Sequence, residues 1–487
     1  MTTTPLAAPP TSAMTARDRK VITTLLVATF VVILNETIMG VALPRLMTEL
    51  QVDAGTVQWL STAFMLTMAV VIPTTGFLLQ RLTTRTVFVT AMGLFCTGTL
   101  LAGLASGFWL LLAARIVQGS GTAIMLPLLM TTILNLVPIE RRGGVMGNVS
   151  IAISVAPAIG PTLSGLILQY LSWRFMFLLV LPIALAALVY GAMRLVNVGE
   201  TQQQPLDLLS VLLSIPGFGG LVFGLSRVGE AASVGVLMVV LPLLIGVVCL
   251  ALFGWRQAAL QSDGHPLLDL RVFSYPMYRL GIAVLMIAMV ALFGVVILLP
   301  IYLQNIRGLD SLQTGLLLLP GGLMMGLLAP LVGKLFDRFG PRALTVTGSV
   351  LLTFALWRFS TLDATTAVWV LLGLHLLLSL GLACLFTPTF TTALNPLPQR
   401  LYSHGSAMLG TLQQVSGAAG TALLVTIMAG RSLTLTAEGM PGLQAQNEGI
   451  QTAFLVAAVI SVGAIALSAF LSRPGSTAVA EESADLR

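Results

Sequence analysis

The chain has 487 residues, of which 56% are hydrophobic and only 9% are charged. A water-soluble domain carries roughly a quarter charged residues because its surface faces water. The composition therefore excludes an ordinary soluble protein and indicates a membrane protein. The net charge of +6 does not indicate a nucleic-acid partner, because the basic residues lie in short segments between apolar runs and form no basic face.

The residue types that catalysis needs are not assembled in any recognisable pattern. Cys96, Cys249 and Cys384 all fall inside apolar runs, where packing is their expected role rather than a disulfide or a metal site. The sequence contains no phosphate-binding loop of the form GxxxxGK[ST], so ATP-driven transport is not supported. It also contains no His and Glu metal set and no nucleophile with a recognisable base. We expect no enzymatic activity, no metal and no cofactor.

Long apolar runs follow one another along the chain. About 20 apolar residues cross the bilayer core as a helix, and we predict fourteen spans. They are 21–43, 57–80, 86–105, 108–132, 144–169, 173–195, 208–226, 233–254, 277–303, 312–334, 343–361, 366–390, 404–430 and 450–472. The predicted fold class is all-α, a polytopic membrane protein with two six-helix bundles and two additional helices inserted between them. The bundles are 21–196 and 276–472, the linker with the extra helices is 197–275, and the tails are 1–20 and 473–487.

The basic residues predict the orientation of the spans. Lys and Arg favour cytoplasmic loops, and with the N-terminus in the cytoplasm the inner loops hold most of them. These are Arg17, Arg19, Lys20, Arg81, Arg85, Arg141, Arg142, Arg194, Arg256, Arg271, Arg279, Lys334, Arg338, Arg342, Arg400, Arg473 and Arg487. The outer loops hold only Arg45, Arg174, Arg227, Arg307, Arg358 and Arg431. We therefore predict that both tails are cytoplasmic.

One loop motif occurs twice. Gly76 opens the first copy, GFLLQRLTTR, after the second span, and Gly333 opens the second copy, GKLFDRFGPR, after the second of the last six spans. A signature at the same place in two halves indicates an internal repeat. We expect a glycine of the motif to permit a tight turn, an acid to lie at a helix N-terminus and the arginines to anchor the loop at the interface.

Span four contains a charged residue. The segment LLAARIVQGSG places Arg115 among apolar neighbours, with Gln118 three residues later on the same helical face. An arginine inside the membrane is costly, so it should face the bundle interior or water and have a partner. The alternative, a side chain that extends to the membrane surface, is disfavoured by the apolar residues on both sides.

Span five combines proline and glycine in the segment APAIGPTLSG. Pro161 lacks a backbone donor, and Gly160 and Gly165 allow close contact between helices. The combination predicts a bent helix at the interface between the two halves. Ordinary helix packing through small residues is the alternative interpretation.

Span one reads LNETIMGVALP from Leu34 to Pro44. Together with the loop motif and the segments of spans four and five, it resembles the fourteen-helix drug:proton antiporters of the major facilitator superfamily, in particular their lincomycin-resistance branch. The resemblance extends from about residue 20 to 472. It implies a multi-pass exporter of the bacterial inner membrane that works as a monomer. By alternating access it would exchange drugs or other lipophilic, in some cases cationic, molecules for protons, the coupling ion.

The two loop motifs match the family pattern to different degrees. The second copy has the matching residues Asp337, Arg338, Gly340 and Arg342, whereas the first keeps Arg81 but has Gln80 and Thr83 in place of the acid and the glycine. A gating latch that uses the acid is therefore implied for the second half and not for the first. Plain anchoring of the loops by the arginines is the alternative.

Glu36 is the candidate coupling residue, with Arg115 as its electrostatic partner. The family commonly has an aspartate where this chain has Asn35, and the acid here stands one residue later, a rotation of about 100° around the helix. Removal from water disfavours a charged carboxylate, and a nearby guanidinium favours it. We expect Glu36 to bind the coupling proton and a cationic substrate one at a time. The alternative is a permanent ion pair with Arg115.

Weaker candidates for substrate binding are Asn35, Gln118, His375, Gln413 and Gln414. A lone membrane histidine is more often a hydrogen-bonded contact between helices, and this interpretation is favoured for His375. For the two glutamines of span thirteen, a contact between helices and a place in the substrate site are equally compatible with the sequence.

Alternative functions are export of an endogenous metabolite, amino acid or lipid, a sensor or scaffold, and a membrane enzyme. No loop is long enough for a signalling domain.

Overall fold

The computed structural model describes residues 14–198, 207–228, 235–261 and 266–472. The predicted tail 473–487, most of the tail 1–20 and parts of the linker 197–275 lie outside these ranges. Within them every regular element is a helix and there is no strand. The all-α prediction is therefore confirmed.

Fourteen long helices, α1 to α14, follow one another in the described ranges. In chain order they are Ala16–Leu50, Ala54–Arg81, Thr84–Gly103, Phe108–Leu136, Arg142–Tyr170, Phe175–Arg194, Leu208–Ser226, Val236–Leu260, Pro276–Ile301, Ser311–Phe339, Pro341–Phe359, Val368–Leu394, Tyr402–Ala437 and Gly442–Ser468. The first helix begins five residues before the predicted start at residue 21, because Thr15 and Asp18 form a capping box at its N-terminus.

Of the helices described, thirteen are long and apolar enough to cross a membrane, and α11 is less apolar. It has 19 residues, about 28 Å at 1.5 Å per residue, which is close to the thickness of the bilayer core. It packs against α12 and α14, which both belong to the thirteen. We therefore assign α11 as the remaining span, at the place predicted for 343–361.

The two halves repeat the same packing. In the first, α4 packs against α1, α2 and α3, α1 also packs against α5 and α6, and α3 packs against α6. In the second, α12 packs against α9, α10 and α11, α9 also packs against α13 and α14, and α11 packs against α14. Each of these contacts of the first half recurs with both helix numbers raised by eight. The prediction of two six-helix bundles with two inserted helices is confirmed.

The bundles meet along two seams, α5 with α10 and α2 with α13, which the repeat relates to each other. Glycines bring α5 and α10 into very close contact. A carbon added at Gly333 would overlap the carbonyl of Gly143, and one added at Gly147 would lie 2.5 Å from the carbonyl oxygen of Ala329. Small residues allow such backbone approach between membrane helices.

The inserted helices α7 and α8 pack against each other, and α7 also packs against α2 and α13. The extra pair therefore covers the α2–α13 seam. Trp59 of α2 stacks on Phe223 of α7 with ring centroids 5.6 Å apart. At the other end of the pair, Arg256 donates two hydrogen bonds of 2.7 Å to Asp207, which also caps α7 by accepting from the backbone nitrogen of Ser210.

The Asp207–Arg256 pair predicts a pH dependence of stability. The hydrogen bond from Arg256, opposed by partial burial and assisted by Ser210, lowers the pKa of Asp207 to about 2. An unfolded aspartate titrates near 3.9, so the pair stabilises the folded protein above about pH 4 and loses this effect as the pH falls towards about 2. We expect Asp207→Asn to lower the melting temperature by about 1–2 °C at neutral pH. Thermal unfolding in detergent at decreasing pH should show this difference shrinking, and a constant difference would contradict the assignment.

Candidate functional site

Glu36 lies on α1, which packs against α4, α5 and α6. Its neighbours Asn35 and Ile38 are each only 2% exposed. Glu36 itself is half-buried, on a helix whose packing partners all belong to the same bundle. Asn35 Oδ1 is buried and has no hydrogen-bond partner among the described residues.

Arg115 is held by a polar network that joins α2, α3 and α4. The side chain is 1% exposed. Its Nε donates to the carbonyl oxygen of Leu60 at 3.3 Å, and its Nη1 donates to Gln118 Oε1 at 2.5 Å. Gln118 Nε2 in turn donates to Thr99 Oγ1 at 2.8 Å. The guanidinium lies over the ring of Phe64, 4.0 Å from its centroid. The network satisfies the buried charge without a carboxylate.

Glu36 and Arg115 are close enough for their charges to act on each other. No ion pair joins them within the described ranges, so the alternative of a permanent pair is not what the structure shows. The carboxyl is left available while the guanidinium is fixed by Gln118 and Leu60. A single acid beside a fixed positive charge can exchange a proton for another cation.

The glycine and proline motif of α5 supports the helix that carries Glu36. Thr37 Oγ1 donates to the carbonyl oxygen of Leu34 at 3.0 Å. The same Oγ1 lies directly against Gly160, and a carbon added at Gly160 would overlap it. By contrast, no neighbouring atom lies within 4 Å of a carbon placed at Gly165. The close helix contact that the sequence predicts is therefore present at Gly160. At Gly165 the same prediction is wrong.

Gly160 and Gly165 form a matched pair for substitution. We expect Gly160→Ala to cost about 1–3 kcal/mol because the methyl group must displace Thr37 and with it α1. Transport should fall with it, since Glu36 is the next residue to Thr37. Gly165→Ala should keep wild-type transport and gain a few tenths of a kcal/mol or more from helix propensity. Melting temperature and drug transport measured for both variants test this, and equal behaviour of the two would contradict the assigned contact.

The weaker candidates occupy different places. His375 Nε2 is 3.1 Å from the carbonyl oxygen of Leu318 and the ring lies against Gly321, so it bridges α12 and α10. Gln118 belongs to the Arg115 network. Gln413 and Gln414 on α13 are partly exposed, and Gln414 Nε2 lies 3.6 Å from Met68 Sδ of α2, across the seam between the bundles.

The loop motif lies at one end of the molecule, and its later glycine makes the turn. Gly76 and Gly333 are both inside helices, α2 and α10. The turn of the second copy is at Gly340, whose φ of +84° favours glycine. Asp337 accepts hydrogen bonds from the backbone nitrogens of Gly143 and Gly144, at 2.9 and 2.8 Å. It therefore lies at the N-terminus of α5, in the opposite bundle.

Further polar contacts join the bundles at the same end. Arg142 Nη1 donates to Asn395 Oδ1 at 3.2 Å, and its Nη2 donates to the hydroxyl of Tyr402 at 3.0 Å. Gln399 Nε2 donates to Asn135 Oδ1 at 3.1 Å. On the other seam, Gln80 Nε2 donates to the carbonyl oxygen of Arg400 at 3.0 Å. We call these contacts, together with Asp337 and the start of α5, the gate.

The sequence predicts Arg142 only as a basic residue of an inner loop and does not identify its partners Asn395 and Tyr402. The only local signal is that Pro138 and Pro398 occupy the same place in the two halves. Each precedes a short 3₁₀ helix that leads into α5 or α13. In the structure this match brings Arg142 and Tyr402, the first residues of α5 and α13, into contact across the gate.

Two repeated bundles of membrane-crossing helices, closed against each other at one end and with a half-buried acid inside the first, define a membrane carrier. The chain belongs to the Major Facilitator Superfamily, whose family model matches residues 25–421. It is thus a multi-pass bacterial-type membrane transporter, and its relatives are transporters rather than enzymes.

Similar proteins cover nearly the whole chain. The lincomycin resistance protein LmrB of Bacillus subtilis (strain 168) is 40% identical over 92% of this chain and 95% of its own length. The MFS-type transporter YcnB of the same organism is 40% identical over 94% and 96%. The multidrug resistance protein B homolog of Mycobacterium tuberculosis (strain ATCC 25618 / H37Rv) is 29% identical over 80% and 73%. In structure, the chain is similar to the human organic anion transporter MFSD10, with a TM-score of 0.65, 16% identity, and 95% and 100% coverage.

Proposed function

We propose that the protein exports drugs or other lipophilic, in some cases cationic, small molecules in exchange for protons. The observation that carries the proposal is Glu36, an acid that is half-buried inside the first bundle and forms no ion pair with the neighbouring Arg115 among the described residues. The names of the relatives in Bacillus subtilis and Mycobacterium tuberculosis support a drug as the cargo.

The proposed mechanism is alternating access around Glu36. The gate is closed at the end of the molecule where the inner loops are expected, and in the proposed orientation this closure shuts the carrier towards the cytoplasm. A proton from outside neutralises Glu36, the bundles rock about the two seams, and the gate opens to the cytoplasm. The proton then leaves and a substrate takes its place. Because one carboxyl serves both ligands, binding of one requires release of the other.

The proton gradient supplies enough free energy for this exchange. Each charge that crosses the membrane contributes about 2.3 kcal/mol per 100 mV. A tenfold concentration gradient of substrate costs about 1.4 kcal/mol. Exchange of one proton for one neutral substrate can therefore sustain a gradient of about tenfold to hundredfold, which suffices to protect a cell against a drug.

Transport into liposomes tests the proposal. Purified protein is reconstituted with an acidic interior, and labelled lincomycin or ethidium is added outside. We expect an inside concentration about tenfold above that outside for one pH unit and one-for-one exchange, and release of protons when the drug is added. Nigericin, which dissipates the pH gradient, should abolish accumulation. Accumulation that resists nigericin would contradict proton coupling.

Competition in the same liposomes addresses the alternative cargo. An endogenous amino acid, metabolite or lipid that is the real substrate should suppress uptake of the labelled drug at a lower concentration than unlabelled drug does.

We propose in addition that both tails face the cytoplasm of a bacterial inner membrane, that the protein works as a monomer and that it needs no cofactor. A protease-cleavable tag at each tail should be cut in inside-out vesicles and protected in intact cells.

A further inference from the structure

The two halves of the gate are equivalent in geometry but not in charge. Counted from Pro138 and Pro398, Gly144 at the start of α5 corresponds to His404 at the start of α13. Counted from Gly333 and Gly76, Asp337 corresponds to Gln80. One half of the gate therefore has an acid, Asp337, at the N-terminus of α5. In the other half of the gate the matching residue, Gln80, is neutral and donates to the carbonyl oxygen of Arg400.

An acid from elsewhere in the chain lies close to the start of α13. Asp269 belongs to residues 266–275, between α8 and α9, which we call the connector, and it is only 3% exposed. Although burial raises the pKa of Asp269, hydrogen bonds from Arg271 hold it below its ordinary value, so the carboxyl is ionised. Asp269 also acts electrostatically on His404, which is 3% exposed, and its effect there exceeds the opposite effect of Arg271. The ring of His404 lies against Gly76 of α2, where an added carbon would be 3.0 Å from Nδ1.

The connector is fixed to both the inserted helices and α13. Gln257 of α8 is fully buried, its Oε1 accepts from the backbone nitrogen of Leu268 at 3.0 Å, and its Nε2 donates to Ser210 of α7. Leu268 belongs to one apolar cluster with Phe77 of α2 and Met408 of α13. Just beyond the connector, the hydroxyl of Tyr278 donates to the carbonyl oxygen of Gly405 at 2.9 Å. Asp269 is therefore placed as firmly as a residue of the bundles.

We propose that Asp269 replaces the acid that the first loop motif lacks, so that α7, α8 and the connector close the α2–α13 half of the gate. A negative charge favours a helix N-terminus, and Asp269 places one near His404 in the first turn of α13. It is a positioning residue that does not contact the cargo. This gives the two extra helices a role in the carrier. The inference depends on the bundles opening and closing at the gate but not on the nature of the substrate or on proton coupling.

Cysteine cross-linking of the gate tests this without any transport assay. Asn135 and Gln399 are in contact across the gate, so cysteines at these positions, in a background without Cys96, Cys249 and Cys384, report closure. We expect Asp269→Asn to slow cross-linking by about fivefold or more. Adding Gln80→Asp should restore the rate, because its carboxylate can reach the start of α13 as Asp337 reaches α5. Asp363→Asn, in the exposed turn between α11 and α12, is the matched control and should leave the rate unchanged.

Two outcomes would overturn the proposal: cross-linking of Asp269→Asn at the wild-type rate, or failure of Gln80→Asp to restore it. A merely structural loss at Asp269 would not be repaired by an acid on α2. If Asp269→Asn does not accumulate in the membrane, His404→Gln takes its place. It removes the group on which Asp269 acts, so it should slow cross-linking to a similar degree and be restored by Gln80→Asp. An unchanged rate with His404→Gln would also overturn the proposal.

Discussion

Glu36→Gln should abolish accumulation of drug driven by a pH gradient, with a fall of at least about tenfold to the level of empty liposomes. Glutamine has nearly the shape of a protonated glutamate but cannot release or take up a proton. The pH gradient then has no group through which it can drive the carrier. Exchange of labelled for unlabelled drug in the absence of a gradient separates this effect from a loss of folding. A neutral substrate should continue to exchange, whereas a cationic one should lose affinity with the carboxylate.

Glu49→Gln is the matched control on the same helix. Glu49 pairs with Arg45 at 2.7 Å near the end of α1, and the pair is exposed. Such surface pairs contribute about 0–1 kcal/mol, so the variant should accumulate drug like the wild type. Accumulation by Glu36→Gln at the wild-type level would refute Glu36 as the coupling residue, although another acid could then still couple transport.

Asp337→Asn should weaken the gate and shift the carrier away from the closed state. The carboxylate accepts two backbone hydrogen bonds from the N-terminus of α5. Hydrogen bonds to a charged group contribute about 1.5–3 kcal/mol, and asparagine retains one acceptor oxygen without the charge. A loss of about 1.5 kcal/mol corresponds to roughly a tenfold change in the ratio of closed to open gate. Drug transport should change with it, because each cycle passes through the closed gate.

Cross-linking of cysteines at positions 135 and 399 measures this ratio directly. Asp310→Asn serves as the control, because Asp310 caps the opposite end of the same helix, α10, through Gln313. It should lower stability slightly and leave cross-linking as in the wild type. If Asp337→Asn cross-links as fast as the wild type while transport falls, Asp337 acts in another step and not in gate closure.

The membrane explains why much of the fold is readable from the sequence. Each helix that crosses lipid must satisfy its own backbone hydrogen bonds and present about 20 apolar residues, so the spans are visible as runs. The repeat is readable because the loop motif opens with Gly76 and again with Gly333. The cost of a charge in lipid likewise indicates that Arg115 must lie inside with a partner, and Gln118 is found there because three residues along a helix share a face.

The sequence by itself thus determined the all-α class, the two bundles with an inserted pair, and the interior position of Arg115. Only the tertiary structure decided which residues form the gate. Arg142 meets Tyr402 and Asp337 meets Gly143 across 260 and 194 residues of chain, and Gly76 and Gly333 contact helices of the opposite bundle. Likewise Gly160 lies against α1 and Gly165 does not. The physical reason is that periodicity and the cost of burial act within one helix, whereas these contacts depend on which faces of distant helices meet when the two bundles pack.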